Sequence, residues 1–496
     1  MSTQIKDGYD VCVIGAGPGG YVAAIRSAQL GLKTCIIERE YLGGVCLNVG
    51  CIPSKAMIAA SEFLHKAQHQ SSSMGIMIGN ISLDMKKLKS WKDSVSQKMS
   101  GGVSQLLKGN KVEIIKGEAT FKIGAARGAV SLTVKTEVGE NFEINAKNFV
   151  VATGSRPIEI PGFKFDEKTV LSSTGALDLE DVPKKLVVIG GGYIGLEIGG
   201  YLNKLGAEVT ILEANDQLLM GIVEPDLVAV VEKKLKKEGV NIKYKTFAKS
   251  FETKAGKTIV KAEVEGKTET FECDKIILTV GRKPNSDQMG LKELGMAIDA
   301  KGFVMVDAKR RTNIPGVYAI GDIACQPMLA HKASHEGVLV AENMAGHNRA
   351  YDVKTVPAVI FTDPEIASAG MTEKECHDAG YTNLKIGKFP FAANGKAVSL
   401  QATDGFVKII ADETTNLVLG VHIVGPEASN LISEAALAIE MGATLEDIAL
   451  TIHPHPTLGE TMMEAAEATL GHAIHIIQKP LTTASKTLQP ENTTRH

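Results

Sequence analysis

Short apolar runs, each broken by glycine and followed by helix-period sequence, recur along the chain and predict buried parallel strands alternating with helices. The first is VCVIGAGPGG, Val11 to Gly20, after which a helical run extends to Gly31 and a second apolar run, KTCIIE, ends at Glu38. The same order returns in LVVIGGGYIGLEIGGYLNKLGAEVTILEA, Leu186 to Ala214. Gly190, Gly192, Gly195, Gly206 and Glu213 each lie 175 residues after Gly15, Gly17, Gly20, Gly31 and Glu38, so the chain carries a duplicated unit. Between the copies, apolar spacings of three and four predict mainly helix from Glu62 to Lys108, including the single tryptophan, Trp91. Alternation and β-branched residues then predict strands in VEIIKGEATF, AVSLTVKT and NFVVATGSRP.

ATGSRP, Ala152 to Pro157, and TVGRKPN, Thr279 to Asn285, punctuate the pattern as hinges that close the first and second units. The chain then returns to strand-like GVYAIGDI, Gly316 to Ile323, and to helix in MLAHKASHEGVLVAENMAG, Met328 to Gly346. From about Val353 a third unit mixes strands (PAVIFTD, LKIGKFPF, GFVKIIAD, LVLGVHIVG) with late helices. The tail from about Gln478 is rich in Ser, Thr, Lys and Pro and reads as disordered.

Each duplicated unit is a G-x-G-x-x-G turn between strand and helix, with an acid at the end of the next strand. That is the context in which a dinucleotide pyrophosphate rests on a helix N-terminus. Glu38 is positioned to hold ribose hydroxyls in the first site. Glu213 suits a free 2′-hydroxyl in the second and repels a 2′-phosphate, which favours NAD over NADP. Asp322 ends an apolar run where α/β folds bind ligands, and reads equally as a ligand-facing or a strand-capping acid.

Composition narrows the class. Hydrophobic residues make up 44% of the chain and charged residues 22%, the profile of an α/β enzyme of about three domains. A net charge of -3 advertises no nucleic-acid or membrane partner, and the 12 histidines show no metal-ligand spacing. No run reaches the roughly eighteen consecutive apolar residues of a membrane span, and no targeting peptide is visible. Cytosolic residence is therefore expected, or the mitochondrial matrix for a processed eukaryotic form.

Seven cysteines in 496 residues are too few for a disulfide framework, so the Cys46/Cys51 pair in GGVCLNVGCIPSK reads better as catalytic than as structural. Spacing alone leaves two buried apolar thiols as the alternative. An undistorted helix separates residues five apart by about 7.5 Å along its axis, whereas a disulfide needs Cα atoms within about 7 Å. A bonded pair would require bent backbone, which Gly43, Gly44, Gly50 and Pro53 permit. Near the end of the third unit, TIHPHPTLGETMMEAA holds His453 and His455 between prolines. Thr457 is a candidate N-cap with Glu460 three residues on, so Glu460 reads either as a helix cap or as the carboxylate that fixes a catalytic histidine.

Together these features resemble the flavin-dependent pyridine nucleotide-disulfide oxidoreductases from about Tyr9 to Ile477. Within them they are most similar to the branch that oxidises dihydrolipoamide for the 2-oxo acid dehydrogenase complexes. The resemblance implies a Cys46–Cys51 redox disulfide, His455 of the partner subunit as acid/base with Glu460 behind it, and a Lys55–Glu197 ion pair near the flavin. The sequence alone allows that last pair to be two surface charges. FAD would be held by Gly15, Gly17, Gly20, Glu38, Lys55, Thr153, Gly154, Asp322 and the MLAH segment of Met328, Leu329, Ala330 and His331. NAD would be held by Gly190, Gly192, Gly195, Glu213 and Gly281. Val45 stands where relatives usually carry threonine, and Ser334 and His335 where they carry acids, a change expected to touch only a solvated face.

The implied fold is α/β: two Rossmann-like domains, for FAD (1–155 with 284–352) and NAD (156–283), a C-terminal α+β dimerisation domain (353–477) and the tail. The implied partners are dihydrolipoamide on a lipoyl domain, the acyltransferase core of a 2-oxo acid dehydrogenase complex or a glycine-cleavage system, and a second copy of the chain. Glutathione- and trypanothione-type reductases share the dithiol but use NADPH, against Glu213. Mercuric reductases end in a cysteine pair, and this chain has no cysteine after Cys376. Soluble transhydrogenases lack the dithiol. A non-catalytic docking subunit would tolerate Cys51→Ser, which an enzyme would not.

Overall fold

A computed structural model describes residues 4–123, 130–254 and 256–478. By internal packing the described residues fall into two units, one within 1–218 and 238–352, the other within 219–237 and 353–496.

Two sheets of the first unit share one plan. In the first, Gln4–Ile14 lies between Thr34–Glu38 and Asn141–Val151, with Glu113–Ile123 and Val317–Ala319 outside them, all parallel. In the second, Lys185–Ile189 lies between Glu208–Leu212 and Lys275–Leu278, with Asn241–Lys243 and Val170–Leu171 outside, again all parallel. The central strands are apolar throughout because a parallel sheet is covered on both faces. Val11 to Val13 and Leu186 to Val188 are at most 1% exposed. Each sheet also has antiparallel strands beside it. Val130–Thr136 bridges Glu113–Ile123 and Asn141–Val151, and Thr246–Lys254, Lys257–Val264 and Lys267–Cys273 form a meander.

The two punctuating segments meet. Ser155–Pro157 pairs antiparallel with Arg282–Pro284, so the chain leaves the first sheet and returns to it along one two-stranded ribbon. The helix expected from Glu62 to Lys108 is two helices, Cys51–His69 and Met85–Gly109. Residues 75–84 between them hold no helix, and Asp84 caps the second by accepting the Lys87 amide at 3.1 Å. The Gly44–His69 stretch, whose most apolar 18-residue window has mean hydropathy 1.2, is long and apolar enough to match a membrane span by composition. It is two helices broken at Val49 and Gly50, however, and it carries the dithiol and Lys55.

The second unit is a five-stranded antiparallel sheet in the order Ala358–Ile360, Glu365–Gly370, Val418–Gly425, Phe406–Asp412, Leu384–Pro390. Helices Ala428–Met441 and Glu460–Leu470 pack on it through Ile432, Ala435, Ile439, Met462, Ala465 and Ala466. Helix Pro225–Lys237 belongs to this unit: the buried Lys408 ammonium is gripped by Glu224, Asp226 and Glu373. Residues 479–496, nearly all of the tail, lie outside the described residues. Gln478, where the tail was expected to begin, is anchored, donating to the Ala468 carbonyl at 2.7 Å and accepting the Ala473 amide at 3.0 Å.

Candidate active site

The glycine turns are built alike. Gly15 and Gly190 have φ of +97° and +103°, open only to residues without a side chain, and a Cβ on either would strike the backbone of Ala152 or Thr279. Gly17 and Gly192 have nothing within 4 Å of a Cβ position, so their backbone is open to approach by a ligand. A Cβ on Gly20 or Gly195 would strike the carbonyl of Gly15 or Gly190, which seals the helix against its strand. The acids match too. Glu38 Oε2 accepts the Ala16 amide at 2.6 Å and Glu213 Oε2 the Gly191 amide at 2.6 Å; their other oxygens take the amides of Glu40 and Asn215, each at 2.8 Å. Open glycine backbone with an acid beside it fits an adenine dinucleotide in both places.

The first site has further polar groups. Thr153 Oγ1 is buried without a hydrogen-bond partner among the described residues, a group that a bound FAD would satisfy. Asn285 pins the neighbouring backbone, its side chain donating to the Thr153 carbonyl at 2.8 Å and its amide to the Gly154 carbonyl at 3.0 Å. Asp322 lies in a short 3₁₀ turn, Gly321–Ile323, and accepts from Ser155 Oγ at 2.6 Å. Arg282 Nε in turn donates to Ser155 Oγ at 2.8 Å. Leu329 caps helix Ala330–Met344, which places Met328 to His331 at that helix's N-terminus. Ser334 is not on a merely solvated face: half-buried, it donates to the Ala330 carbonyl at 3.1 Å and reaches the Pro18 carbonyl at 3.5 Å. Val45 is 43% exposed, and nothing in the structure explains its replacing threonine.

The dithiol segment hangs from the first glycine turn, with the Gly43 amide donating to the Ala16 carbonyl at 2.8 Å. Gly43 and Gly44 take left-handed φ of 88° and 61° to start helix Gly44–Asn48, which carries Cys46. That helix stops at once, and Gly50, at φ -145° and ψ -114°, restarts the chain as helix Cys51–His69. The expected break in regular helix is thus present, and it brings the sulfurs together. Both are thiols here, Cys46 donating to Cys51. The hydrogen bond from Cys46, aided by the Lys55 ammonium against the cost of burial, pulls the Cys51 thiol down to about 7. Its place at the first position of a helix works the same way. Donating that bond, together with burial, drives the Cys46 thiol well above its ordinary range.

Lys55, one turn along the same helix, pairs with Glu197 of helix Tyr193–Lys204 at 2.8 Å, with Glu197 only 7% exposed. This is a buried-side ion pair, not two surface charges. Tyr193 was not foreseen from sequence. Burial pushes its phenol up, Arg282 pulls it down, and Asp322, Glu197 and Cys51 are near enough to push it up further. Residues expected at the flavin and in the dithiol therefore gather about one side chain. Gly281, at φ +125°, precedes Arg282 in the ribbon.

In the second unit, His455 Nδ1 lies 2.8 Å from Glu460 Oε1. Glu460 Oε2 accepts the Thr457 amide at 2.8 Å. The helix N-cap is Gly459 rather than Thr457, whose hydroxyl donates instead to the Pro454 carbonyl at 2.7 Å. The carboxylate thus serves both readings, one oxygen for the turn and one for the imidazole. Burial works against its ionisation, but the Thr457 amide and His455 outweigh it and hold the carboxyl below the usual range. His453 is tied down separately, to Glu434 and to the Thr451 carbonyl, both at 2.8 Å.

Residues 9–337 match the family model described as pyridine nucleotide-disulphide oxidoreductase, and residues 356–466 the dimerisation domain of the same family. The chain is 50% identical over 471 residues to a dihydrolipoyl dehydrogenase of Geobacillus stearothermophilus, covering 95% of this chain and 98% of the relative. It is 46% identical to one of Haloferax volcanii, covering 96% and 99%. Among solved structures, LpdA from Mycobacterium tuberculosis superposes with a TM-score of 0.86 at 27% identity, covering 92% of this chain and 99% of that one. The flavoprotein disulfide reductase RclA from Escherichia coli (TM-score 0.82, 24% identity, covering 93% and 99%) shares the fold. With duplicated dinucleotide turns, a paired dithiol and relatives half identical along nearly the whole chain, the protein belongs to the pyridine nucleotide-disulphide oxidoreductase family, in its dihydrolipoyl dehydrogenase branch.

Proposed function

We propose that Cys46 and Cys51 cycle between disulfide and dithiol to oxidise dihydrolipoamide, carried on a lipoyl domain, to lipoamide. The chain is an NAD-dependent oxidoreductase whose cofactors are FAD and NAD. The observation that carries the reading is the asymmetry of the two thiols. Cys51 is drawn to the thiolate by its neighbours, whereas Cys46 is held protonated. The Cys46 hydrogen bond exists only in the dithiol, but the Lys55 ammonium and the helix N-terminus persist in the disulfide and favour Cys51 as the leaving sulfur.

In this reading His455, supplied by the partner subunit of a homodimer, takes a proton from a dihydrolipoamide thiol, and Glu460 fixes the tautomer by accepting from Nδ1. The resulting thiolate attacks Cys46 Sγ, the Cys46–Cys51 bond breaks, and its electron pair leaves on Cys51. The second lipoyl thiol then gives up its proton as its sulfur attacks the first, closing lipoamide, and that proton goes to the departing Cys46 sulfur while His455 keeps the first. FAD, which the Gly15, Gly17 and Gly20 turn and Glu38 would hold, would supply the two-electron chemistry that links the dithiol to NAD. Lys55, held by Glu197, keeps positive charge beside the Cys51 thiolate.

The domain division 1–155 with 284–352, 156–283 and 353–477 belongs to the same proposal, as does a cytosolic setting. So does attachment to the acyltransferase core of a 2-oxo acid dehydrogenase complex, or service to glycine cleavage. The test mixes purified protein with dihydrolipoamide and NAD and follows NADH. Rapid NADH formation is expected. No turnover, with brisk NADPH-dependent reduction of glutathione disulfide, would overturn the reading.

A further inference from the structure

Helix Ala330–Met344 buries two charged side chains one turn apart, Lys332 and Glu336, 2% and 0% exposed. Glu336 Oε1 meets Lys332 Nζ at 3.3 Å and Arg310 at 2.9 Å, while Oε2 accepts the Gly321 amide at 2.6 Å. Arg310 is buried as well, stacked 3.9 Å from the centre of the Tyr351 ring, and its Nε has no hydrogen-bond partner among the described residues. Two cations therefore share one carboxylate out of water, an arrangement with one positive charge in excess.

The remaining group in contact is Cys325. Lys332 Nζ lies 3.0 Å from its sulfur and 2.9 Å from its carbonyl, and the thiol points at Glu336 Oε1 at 3.6 Å. Cys325 is partly exposed, whereas the lysine behind it is sealed. The dithiol chemistry above uses none of these three side chains.

We propose that Cys325 and Lys332 form an oxidation-driven covalent latch, a nitrogen–oxygen–sulfur bridge from Nζ to Sγ closed by hydrogen peroxide. In the first step the sulfur attacks peroxide, an S–O bond forms as the O–O bond breaks, and water leaves a sulfenic acid. The excess positive charge stabilises the sulfenate anion. Glu336 accepts the proton that makes Lys332 a free amine. A second peroxide then takes one hydrogen from the sulfenic oxygen and one from the amine, the O–N bond forms, and two waters leave. In sum thiol, amine and two peroxides give the bridge and three waters. Two dithiothreitol molecules, each going to its disulfide, return thiol, amine and one water. The closed latch would tie the Gly321–Ile323 turn, which carries Asp322, to the helix behind it and remove the Lys332 charge.

The test uses FAD-loaded protein with its redox pair oxidised, treated with hydrogen peroxide, digested with trypsin without reductant and read by mass spectrometry. The peptide containing both residues should be one oxygen heavier and two hydrogens lighter, should stay uncut after Lys332, and should revert with dithiothreitol. Lys332→Arg keeps the charge and should stop at a sulfenic acid that dimedone traps. Cys325→Ser should remain cut after Lys332. A Cys325 that stays a thiol, that proceeds to sulfinic or sulfonic acid with Lys332 still cut, or that pairs with another cysteine overturns the proposal. So does the same mass change in Lys332→Arg.

Discussion

His455 and Glu460 are joined by a 2.8 Å hydrogen bond, and the carboxylate's other oxygen is spent on the Thr457 amide. The histidine is 79% exposed, so the fold holds its orientation without covering it. His455→Gln should lower kcat for dihydrolipoamide oxidation on the order of 10²- to 10⁴-fold, the range for losing a general base. Its stability should stay within about 0.5 kcal/mol of the parent, as for other exposed substitutions. Glu460→Ala should lose activity and also about 1 kcal/mol of stability, because the Thr457 amide loses its acceptor. NADH formation and thermal melts separate the two effects.

The Cys51 thiol, pulled to about 7 from an ordinary 9.0, makes reactivity depend on pH. Its lowered value means that the thiolate favours the folded state at high pH, a contribution lost as pH falls through about 7. In the reduced protein, alkylation of Cys51 by iodoacetamide should rise with a midpoint near 7, with Cys46 the slower partner. Lys55→Met should move that midpoint upward, since the ammonium helps to lower it. An unmoved midpoint would remove Lys55 from this role.

Neighbouring glycines should fail in different ways. Gly17→Val projects into open space and should fold but purify without FAD, visible as lost flavin absorbance over an unchanged melt. Gly192→Val should keep FAD and raise the KM for NAD by roughly tenfold or more, about 1.4 kcal/mol. Gly20→Val meets the Gly15 carbonyl and should destabilise the fold itself by about 1–3 kcal/mol, as overpacking does.

Glu213 ties down a loop through Gly191 and Asn215, and it is also expected to set the cofactor preference. The parent should use NAD with a far higher kcat/KM than NADP, the result expected when a carboxylate faces the 2′ position. Glu213→Ala should raise the KM for NAD about tenfold, partly because Gly191 and Asn215 lose their acceptor. A parent that prefers NADP would contradict the assignment.

The parts of the site legible in the sequence were those written in local spacing. The glycine turns, their acids, the thiols and the His455–Glu460 pair each lie within one short stretch, where backbone geometry forces residue type. Contacts made across long loops left no such trace. The chain from Arg282 through Ser155 to Asp322 joins residues 127 and 167 positions apart, and Asn285 reaches back to Thr153 over 132. Thr457 is not the N-cap for another reason: Thr-x-x-Glu is ambiguous until it is known whether the hydroxyl accepts or donates, and here it donates to Pro454 while Glu460 still accepts the Thr457 amide. The excess charge around Glu336 was equally hidden, because Arg310 and Lys332 read as ordinary solvated cations until the fold buries them.

The ribbon of Ser155–Pro157 against Arg282–Pro284 bears on how such a chain could arise. Because exit and return run side by side, everything threaded between them behaves as a cassette whose two ends are already stitched. The gap the host sheet must bridge is only the width of that ribbon. A copied nucleotide-binding unit could therefore enter a pre-existing loop without redrawing the first sheet, and the same seam marks where it could be cut out or exchanged.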